Sequence, residues 1–241
     1  DDMVSRGLGD VYKRQLVVFN NTLFFRADDG INGFELWKSD GTDAGTMMVK
    51  DIYSGIGYPH IGNLVVVGNN LFFTADDGTH GRELWVTDGT GSGTHMVKDI
   101  MTGSAHGNLD SLTSFGNNLY FAAEDSVYGR ELWKSNGTSA GTVLVRDINE
   151  GTSGSNPQGL VVAGDKIFFS ADDGNNGNEL WVSDGTVSGT NLAQDIYLSS
   201  TGSNPTSLTA SGSTLYFVSE DGYKGYEVYF NAGIDSEVTY S

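Results

Sequence analysis

The chain has 241 residues, of which 38% are hydrophobic, so it can bury the core of one large all-β domain or of two ordinary domains. Its formal net charge of −18 disfavours nucleic acid and anionic membrane as partners, because both are negatively charged. The absence of cysteine excludes disulfides and thiolate metal sites, and the longest apolar runs are too short to span a bilayer.

The first fifteen residues match nothing later in the chain. Their segment "VSRGLGDVYKRQ" resembles a translated sequencing-adaptor artefact of metagenomic reading frames. We therefore expect residues 1–15 to be a non-native or disordered leader and residues 16–241 to form a single domain. We also expect the chain to be a fragment of a longer protein, since its last unit is incomplete.

From Leu16 onwards the sequence repeats, with equivalent residues such as Glu35 and Glu83 lying 48 positions apart and no insertion or deletion between copies. A tandem array of one supersecondary unit has this signature. The predicted units are about 16–63, 64–111, 112–159, 160–207 and 208–241. The motif Glu-Leu-Trp recurs in the first four units and is replaced by Glu-Val-Tyr in the last. Its repeated positions are Glu35, Trp37, Glu83, Trp85, Glu131, Trp133, Glu179, Trp181, Glu227 and Tyr229.

The sequence predicts four short strands in each unit, and the pattern is illustrated by the second unit. Its predicted strands are 64–67, 71–75, 82–87 and 94–100, separated by the turn signals "GNN", "DDGTHG" and "DGTGSG". Helical periodicity of useful length is absent. The second strand, "LFF", is apolar at consecutive positions, which is typical of a strand covered on both faces.

Four antiparallel strands in 48 residues is the size of one β-propeller blade. The sequence therefore predicts an all-β fold, a β-propeller of four-stranded antiparallel blades with five repeats in this chain. An arc of a larger propeller and a β-solenoid are the alternatives.

The repeated motifs favour structural roles. In a strand Glu83 and Trp85 share one face, so the tryptophan would fill the gap between blades and the carboxylate would accept hydrogen bonds from backbone amides. Five equivalent glutamates do not suit catalysis, which needs one asymmetric constellation. The Asp-Gly-Thr phrase predicts a hairpin turn, and Asn136 serves such a turn as well as aspartate does.

The Asp-Asp-Gly turns are the candidate metal loops, because oxygen-rich loops suit calcium. They lack the spacing of a dedicated calcium loop, so a solvated turn is the favoured interpretation and calcium the less favoured one. The candidate ligands are Asp28, Asp29, Asp76, Asp77, Asp172 and Asp173.

The copies "ELWKSDGT", "ELWVTDGT" and "ELWVSDGT" resemble the bacterial ELWxxDGT repeat family, also called hyalin-like, over residues 16–236. The resemblance implies a propeller-like fold in a secreted or surface-attached bacterial protein and implies no defined enzymatic activity. The segment "VVAGDKIFFSADDG" is similar to the blades of propellers of the pyrroloquinoline-quinone dehydrogenase type. A five-bladed ring of such units is also similar in architecture to the amino-sugar-binding tachylectins.

The leading functional hypothesis is a non-enzymatic binding or scaffold module that is extracellular or on a bacterial cell surface. Its expected partners are saccharides or other surface proteins, without nucleic acid, membrane insertion or an organic cofactor. The alternatives are a glycan-active hydrolase domain with its site in a central channel, and a structural array stabilised by Ca²⁺.

Overall fold

A computed structural model describes residues 15–198, 200–231 and 239–240, and every regular element in these residues is a β-strand. The described residues include no helix that is long and apolar enough to cross a membrane. In chain order the strands are β1 (Val17–Phe19), β2 (Thr22–Asp28), β3 (Phe34–Ser39), β4 (Met47–Lys50), β5 (Gly62–Val67), β6 (Asn70–Asp76), β7 (Arg82–Thr87), β8 (His95–Lys98), β9 (Asp110–Phe115), β10 (Asn118–Asp125), β11 (Gly129–Ser135), β12 (Val143–Arg146), β13 (Gln158–Ala163), β14 (Lys166–Asp172), β15 (Asn178–Ser183), β16 (Asn191–Gln194), β17 (Thr206–Ser211), β18 (Thr214–Glu220), β19 (Tyr226–Asn231) and β20 (Thr239–Tyr240).

These strands form four-stranded sheets in which each strand pairs antiparallel with the next one in sequence, giving the sheets β1–β4, β5–β8, β9–β12, β13–β16 and β17–β20. The second strand of each sheet starts 48 residues after its predecessor, at Thr22, Asn70, Asn118, Lys166 and Thr214. The prediction of an all-β fold with four-stranded antiparallel units is therefore confirmed. The expected leader lies outside the described residues except for Gln15, whose Oε1 accepts a hydrogen bond from the Leu64 amide at 2.7 Å.

In the second unit the strands lie close to their predicted positions, and the fourth differs most. It ends at Lys98 rather than at the expected Ile100. The Ile100 amide donates to the side chain of Glu83 instead of to a strand partner. A side-chain acceptor thus ends the ladder two residues early.

The sheets stack face to face, and the apolar core lies between them. We call the face that packs on the following sheet the trailing face, which in the second sheet carries Phe72 and Leu84. The opposite face, with Phe73 and Trp85, is the leading face and packs on the first sheet. Because both faces are covered, "LFF" in β6 is buried at every position, as the consecutive apolar run predicted.

The first strands of successive sheets contact one another, β1 with β5, β5 with β9, β9 with β13, and β13 with β17. This places the first strands along the inside of the array and the fourth strands along the outside. Among the described strands, β1 and β17 make no comparable contact with each other. The described residues therefore form an array of sheets whose two ends are not joined through these strands.

The repeated glycine at the start of the third strand permits a close backbone approach in the first four sheets. Gly81 has a φ of 69°, and a Cβ on it would lie 2.1 Å from the carbonyl oxygen of Ala105 in the link to the third sheet. Only glycine fits both constraints. This contact holds the Asp-Asp-Gly turn of a sheet against the link that leaves the same sheet.

Candidate functional site

The repeated glutamates of the first four sheets are buried and bind backbone amides, whereas Glu227 of the fifth sheet is half-buried. Glu83 has no exposed surface, and its two oxygens accept hydrogen bonds from the amides of Ile100 and Met101 at 3.1 and 3.2 Å. Glu35 binds the amides of Ile52 and Tyr53 in the same way. The carboxylate thus fixes the start of the link that leads to the next sheet.

The third and fourth units add a serine to this arrangement. The amide and hydroxyl of Ser155 both donate to Glu131, at 2.8 and 2.5 Å. Ser203 does the same for Glu179. The second unit has Gly107 at the equivalent position, so its glutamate has no such hydroxyl donor.

Burial changes the acidity of these groups. Loss of solvation raises the pKa of Glu35 to about 7 and that of Glu83 to about 8, although the amide hydrogen bonds lower both. Burial also raises the pKa of Glu131 and Glu179, and the serine hydrogen bonds oppose that rise. Perturbed acids often mark active sites, but here the same environment recurs in several units, which indicates a structural cause.

Three of the four repeated tryptophans lie between sheets, and Trp37 is half-buried on the leading face of the first sheet. Trp85, Trp133 and Trp181 are each at most 5% exposed and pack in the clusters that join their sheet to the preceding one. Basic side chains of the preceding sheet cross the same junctions. Lys98 Nζ lies 5.6 Å from the ring centre of Trp133 and donates to the carbonyl of Thr142 at 2.9 Å.

The Asp-Gly-Thr phrases form side-chain-capped turns. Asp88 Oδ1 accepts hydrogen bonds from both the amide and the hydroxyl of Thr90, at 2.8 and 2.7 Å. Asn136 Oδ1 makes the same two bonds with Thr138 at 3.0 and 2.8 Å. Since a neutral amide oxygen replaces a carboxylate without loss of a bond, the turn needs an acceptor rather than a charge.

The candidate calcium residues also hold their own turns. Asp77 Oδ1 accepts the amides of Thr79 and His80, each at 2.9 Å, while Asp76 Oδ1 accepts the amide of Gly78 at 2.7 Å. The equivalent bonds are made by Asp28, Asp29, Asp172 and Asp173. Within the described ranges, no three acidic, histidine or cysteine side chains are grouped so as to hold a metal ion.

A different cluster lies where the first unit departs from the repeat. The guanidinium carbon of Arg26 lies 4.8 Å from the ring centre of Phe34 and 5.4 Å from that of Tyr58. The two rings meet edge to face at 5.3 Å, and the ring of His60 lies 4.8 Å from Tyr58. Tyr58 and His60 are exposed, whereas Arg26 and Phe34 are half-buried. We call these four residues the aromatic–arginine cluster.

Sequence reasoning did not identify this cluster, because its members lie on β2, β3 and the link before β5. The signal that could have found it is departure from the repeat. The positions equivalent to Arg26 are Thr74, Ala122, Ser170 and Val218, and those equivalent to Tyr58 are His106, Gly154 and Gly202. The cluster is thus specific to the first unit, unlike the glutamates and turn aspartates.

No family model and no curated protein sequence matches the chain. Solved structures match it in fold. A puromycin hydrolase aligns with a TM-score of 0.57 and 13% identity, over 94% of this chain and 36% of the hydrolase. The chain therefore spans about a third of the length of the puromycin hydrolases that it matches.

Two further structures describe the architecture more closely. The β-propeller domain of the Trilobed protease from Pyrococcus furiosus, which has an open velcro topology, aligns with a TM-score of 0.51 and 10% identity over 94% of this chain and 68% of the domain. TolB from Acinetobacter baumannii aligns with a TM-score of 0.50 and 14% identity over 91% of this chain and 52% of TolB. The chain is thus an all-β protein whose fold is similar to that of β-propeller domains.

Proposed function

We propose that the chain is a non-enzymatic binding module, an arc of propeller blades of the ELWxxDGT class from a secreted or surface-attached bacterial protein, and that the aromatic–arginine cluster binds a saccharide. The observation that supports this proposal is the exposed Tyr58 ring, packed against Phe34 and Arg26 at positions that no other unit repeats. The polar groups of the repeated turns are occupied by internal hydrogen bonds, whereas this cluster presents the exposed rings of Tyr58 and His60 beside the half-buried Arg26.

The chemistry of the cluster suits a sugar ring. The C–H face of a pyranose packs on an aromatic ring, and a guanidinium offers several N–H donors in a planar fork to hydroxyl or carboxylate oxygens. The imidazole of His60 adds a donor and an acceptor beside Tyr58. An acidic sugar such as a uronic acid would use the positive charge of Arg26 in a chain that is otherwise strongly acidic.

A glycan panel tests the proposal. Calorimetry with neutral and uronic-acid-containing oligosaccharides should show binding to the unmodified protein, and Tyr58→Ala should weaken it at least about tenfold through loss of stacking. Tyr128→Ala is the matched control, because Tyr128 is an exposed tyrosine in the third unit. Equal binding by both variants, or chemical turnover of any glycan, would contradict the proposal.

Calcium remains a separate prediction. Each of the six candidate aspartates uses Oδ1 for turn amides. Asp29, Asp77 and Asp173 also use Oδ2, for the side chains of Asn32, His80 and Asn176, so a bound cation would have to displace or share these contacts. Melting curves of the full chain with Ca²⁺ and with chelator decide the matter. If calcium stabilises the turns, chelator should lower the Tm of the unmodified protein. The Asp76→Asn, Asp77→Asn double variant should then show no such fall.

A further inference from the structure

The trailing face of the fifth sheet is exposed at positions that are buried in every other sheet. Val228 is 54% exposed, whereas its equivalents Leu36, Leu84, Leu132 and Leu180 are all 0% exposed. Tyr216 is 43% exposed, whereas its equivalents Phe24, Phe72, Tyr120 and Phe168 are at most 4% exposed. The fifth sheet thus has apolar residues at these interface positions, and no other sheet among the described residues covers them.

The other four junctions show what covers this surface. At each one, the trailing face packs against leucine or isoleucine, phenylalanine and an aromatic residue on the leading face of the next sheet. The covering residues are Leu71, Phe73 and Trp85; Leu119, Phe121 and Trp133; Ile167, Phe169 and Trp181; and Leu215, Phe217 and Tyr229. The same interface therefore occurs four times within one chain.

The first sheet has the complementary exposure on its leading face. Leu16 is 65% exposed, whereas the equivalent Leu64 and Leu160 are at most 8% exposed because a preceding sheet covers them. Both end sheets thus have the side chains for a junction of the type found inside the array.

The exposed trailing face is also more apolar than two of its counterparts. Lys38 of the first sheet donates to the carbonyl of Gly89, and Lys134 of the third donates to that of Gly185. Phe230 takes their place in the fifth sheet. An occupant would therefore be held by apolar contact.

We propose that the trailing face of the fifth sheet is a docking surface for one further four-stranded sheet of the same repeat, whose leading face carries the leucine, phenylalanine and tryptophan of the internal junctions. The proposal is independent of saccharide binding, because it concerns the opposite end of the array from the aromatic–arginine cluster. It extends the four observed junctions by a fifth of the same kind.

The chain has no cysteine, so a single introduced thiol reports on this face. The full chain with Tyr216→Cys is compared with the same chain extended after Ser241 by a second copy of residues 147–194, which contain a link and the whole fourth sheet. The extension should slow maleimide labelling of the thiol by about tenfold or more, because the docked sheet must open before the thiol reacts. Tyr223→Cys is the exposed reference, since Tyr223 is 93% exposed in a turn, and its labelling should not change.

A second extended chain, carrying Phe169→Asp and Trp181→Asp in the appended copy only, is the matched control and should label as fast as the unextended chain. Equal labelling rates with and without the intact extension would overturn the proposal. An appended copy that gains no strand signal by circular dichroism would also overturn it, because the exposed face should template that sheet. Slow, concentration-dependent labelling of the unextended chain would place a second copy of the whole chain on the face and contradict the proposed occupant.

Discussion

Glu83 illustrates how a repeated acid can be structural. Both of its oxygens accept backbone amides at the point where the fourth strand ends, so it takes the place of a strand partner that the link cannot have. An unpaired buried amide is costly, and a carboxylate with two acceptor oxygens satisfies two of them at once. Repetition of this arrangement explains why the Glu-Leu-Trp phrase recurs without implying a repeated active site.

Replacing Glu83 by glutamine should destabilise the protein. The amide group of glutamine provides only one acceptor oxygen, so a backbone amide would face an NH₂ donor. At about pH 9, above the raised pKa of about 8 at which Glu83 ionises, we expect Glu83→Gln to lower the free energy of unfolding by about 1–3 kcal/mol. Urea unfolding followed by tryptophan fluorescence measures this, with the exposed Glu150→Gln as the control that should change nothing.

The natural difference between units suggests a stabilising change. Ser155 donates its hydroxyl to Glu131, whereas Gly107 leaves Glu83 without that donor. A Cβ on Gly107 would lie 2.9 Å from both the Glu83 carboxylate oxygens and Leu109 Cδ1, so both side chains must shift slightly in the serine variant and in the alanine variant alike. We expect Gly107→Ser to exceed Gly107→Ala in stability by about 1 kcal/mol, since only serine adds the hydrogen bond. A serine variant no more stable than the alanine variant would show that the hydroxyl does not reach Glu83.

At the scale of elements, the turns show which sequence signals are sufficient. Asn136 and Asp88 hold their threonines with the same two hydrogen bonds, so Asp-Gly-Thr predicts the hairpin through an acceptor at its first position. The strands of the second unit followed from apolar runs bounded by such turns. The end of β8 could not be predicted, because it depends on a hydrogen bond to Glu83, seventeen residues earlier in the chain.

The hairpin turn at Asp88 should not require the negative charge of the aspartate. Asp88→Asn should keep both bonds to Thr90 and change the free energy of unfolding by no more than a few tenths of a kcal/mol. Asp88→Ala removes the acceptor and should cost about 0.5–1 kcal/mol. Chemical denaturation of the two variants side by side separates them, and an asparagine variant as unstable as the alanine variant would show that the turn requires the charge.

The aromatic–arginine cluster marks the limit of prediction at this scale. Tyr58 lies in a link, and the equivalent positions in the other links are histidine or glycine. The repeat pattern therefore cannot predict which side chains Tyr58 contacts. Its contacts with Arg26 and Phe34 depend on how the link folds back over the first sheet. Sequence could point to the place where the repeat is broken, but not to the four side chains that meet there.

For the whole molecule, the buried glutamates predict how stability varies with pH. The pKa of Glu35 in the folded chain is about 7 and that of Glu83 about 8, above the ordinary glutamate pKa of 4.5. A raised pKa means that the folded state binds more protons than the unfolded state, so this contribution to stability is complete below about pH 4.5 and is lost as the pH rises through 7 to 8. The free energy of unfolding should therefore fall between pH 5 and pH 8.

Urea titrations at several pH values measure that slope, and Glu83→Gln should make it shallower because the variant cannot titrate at that position. Below about pH 4 the turn aspartates act in the opposite direction. Hydrogen bonds from Thr42 and Thr90 lower the pKa of Asp40 and Asp88, so their contribution is lost as the pH falls. A stability that rises steadily from pH 5 to pH 8 would contradict the assignment of buried, raised-pKa glutamates.

The 48-residue repeat was sufficient to predict the number of strands per unit and the packing of sheets on both faces, because an apolar run such as Leu71–Phe73 needs two covered sides. It was not sufficient to show how the ends of the array relate. Leu16 is the same residue type as its buried equivalents, and Val228 is an aliphatic residue at a position where the other sheets have a buried leucine, so exposure at the ends is visible only in three dimensions. Position within the array, not residue identity, sets the environment there.

The repeated positions build junctions between neighbouring sheets, and two tryptophans at the same repeat position provide the test. Trp133 is 5% exposed between the second and third sheets, whereas Trp37 is only half-buried on the leading face of the first sheet. Trp133→Ala should lower the free energy of unfolding by about 3–5 kcal/mol, and Trp37→Ala should cost markedly less. Urea unfolding of the full chain measures both costs, and equal costs would show that Trp133 gains nothing from packing between two sheets.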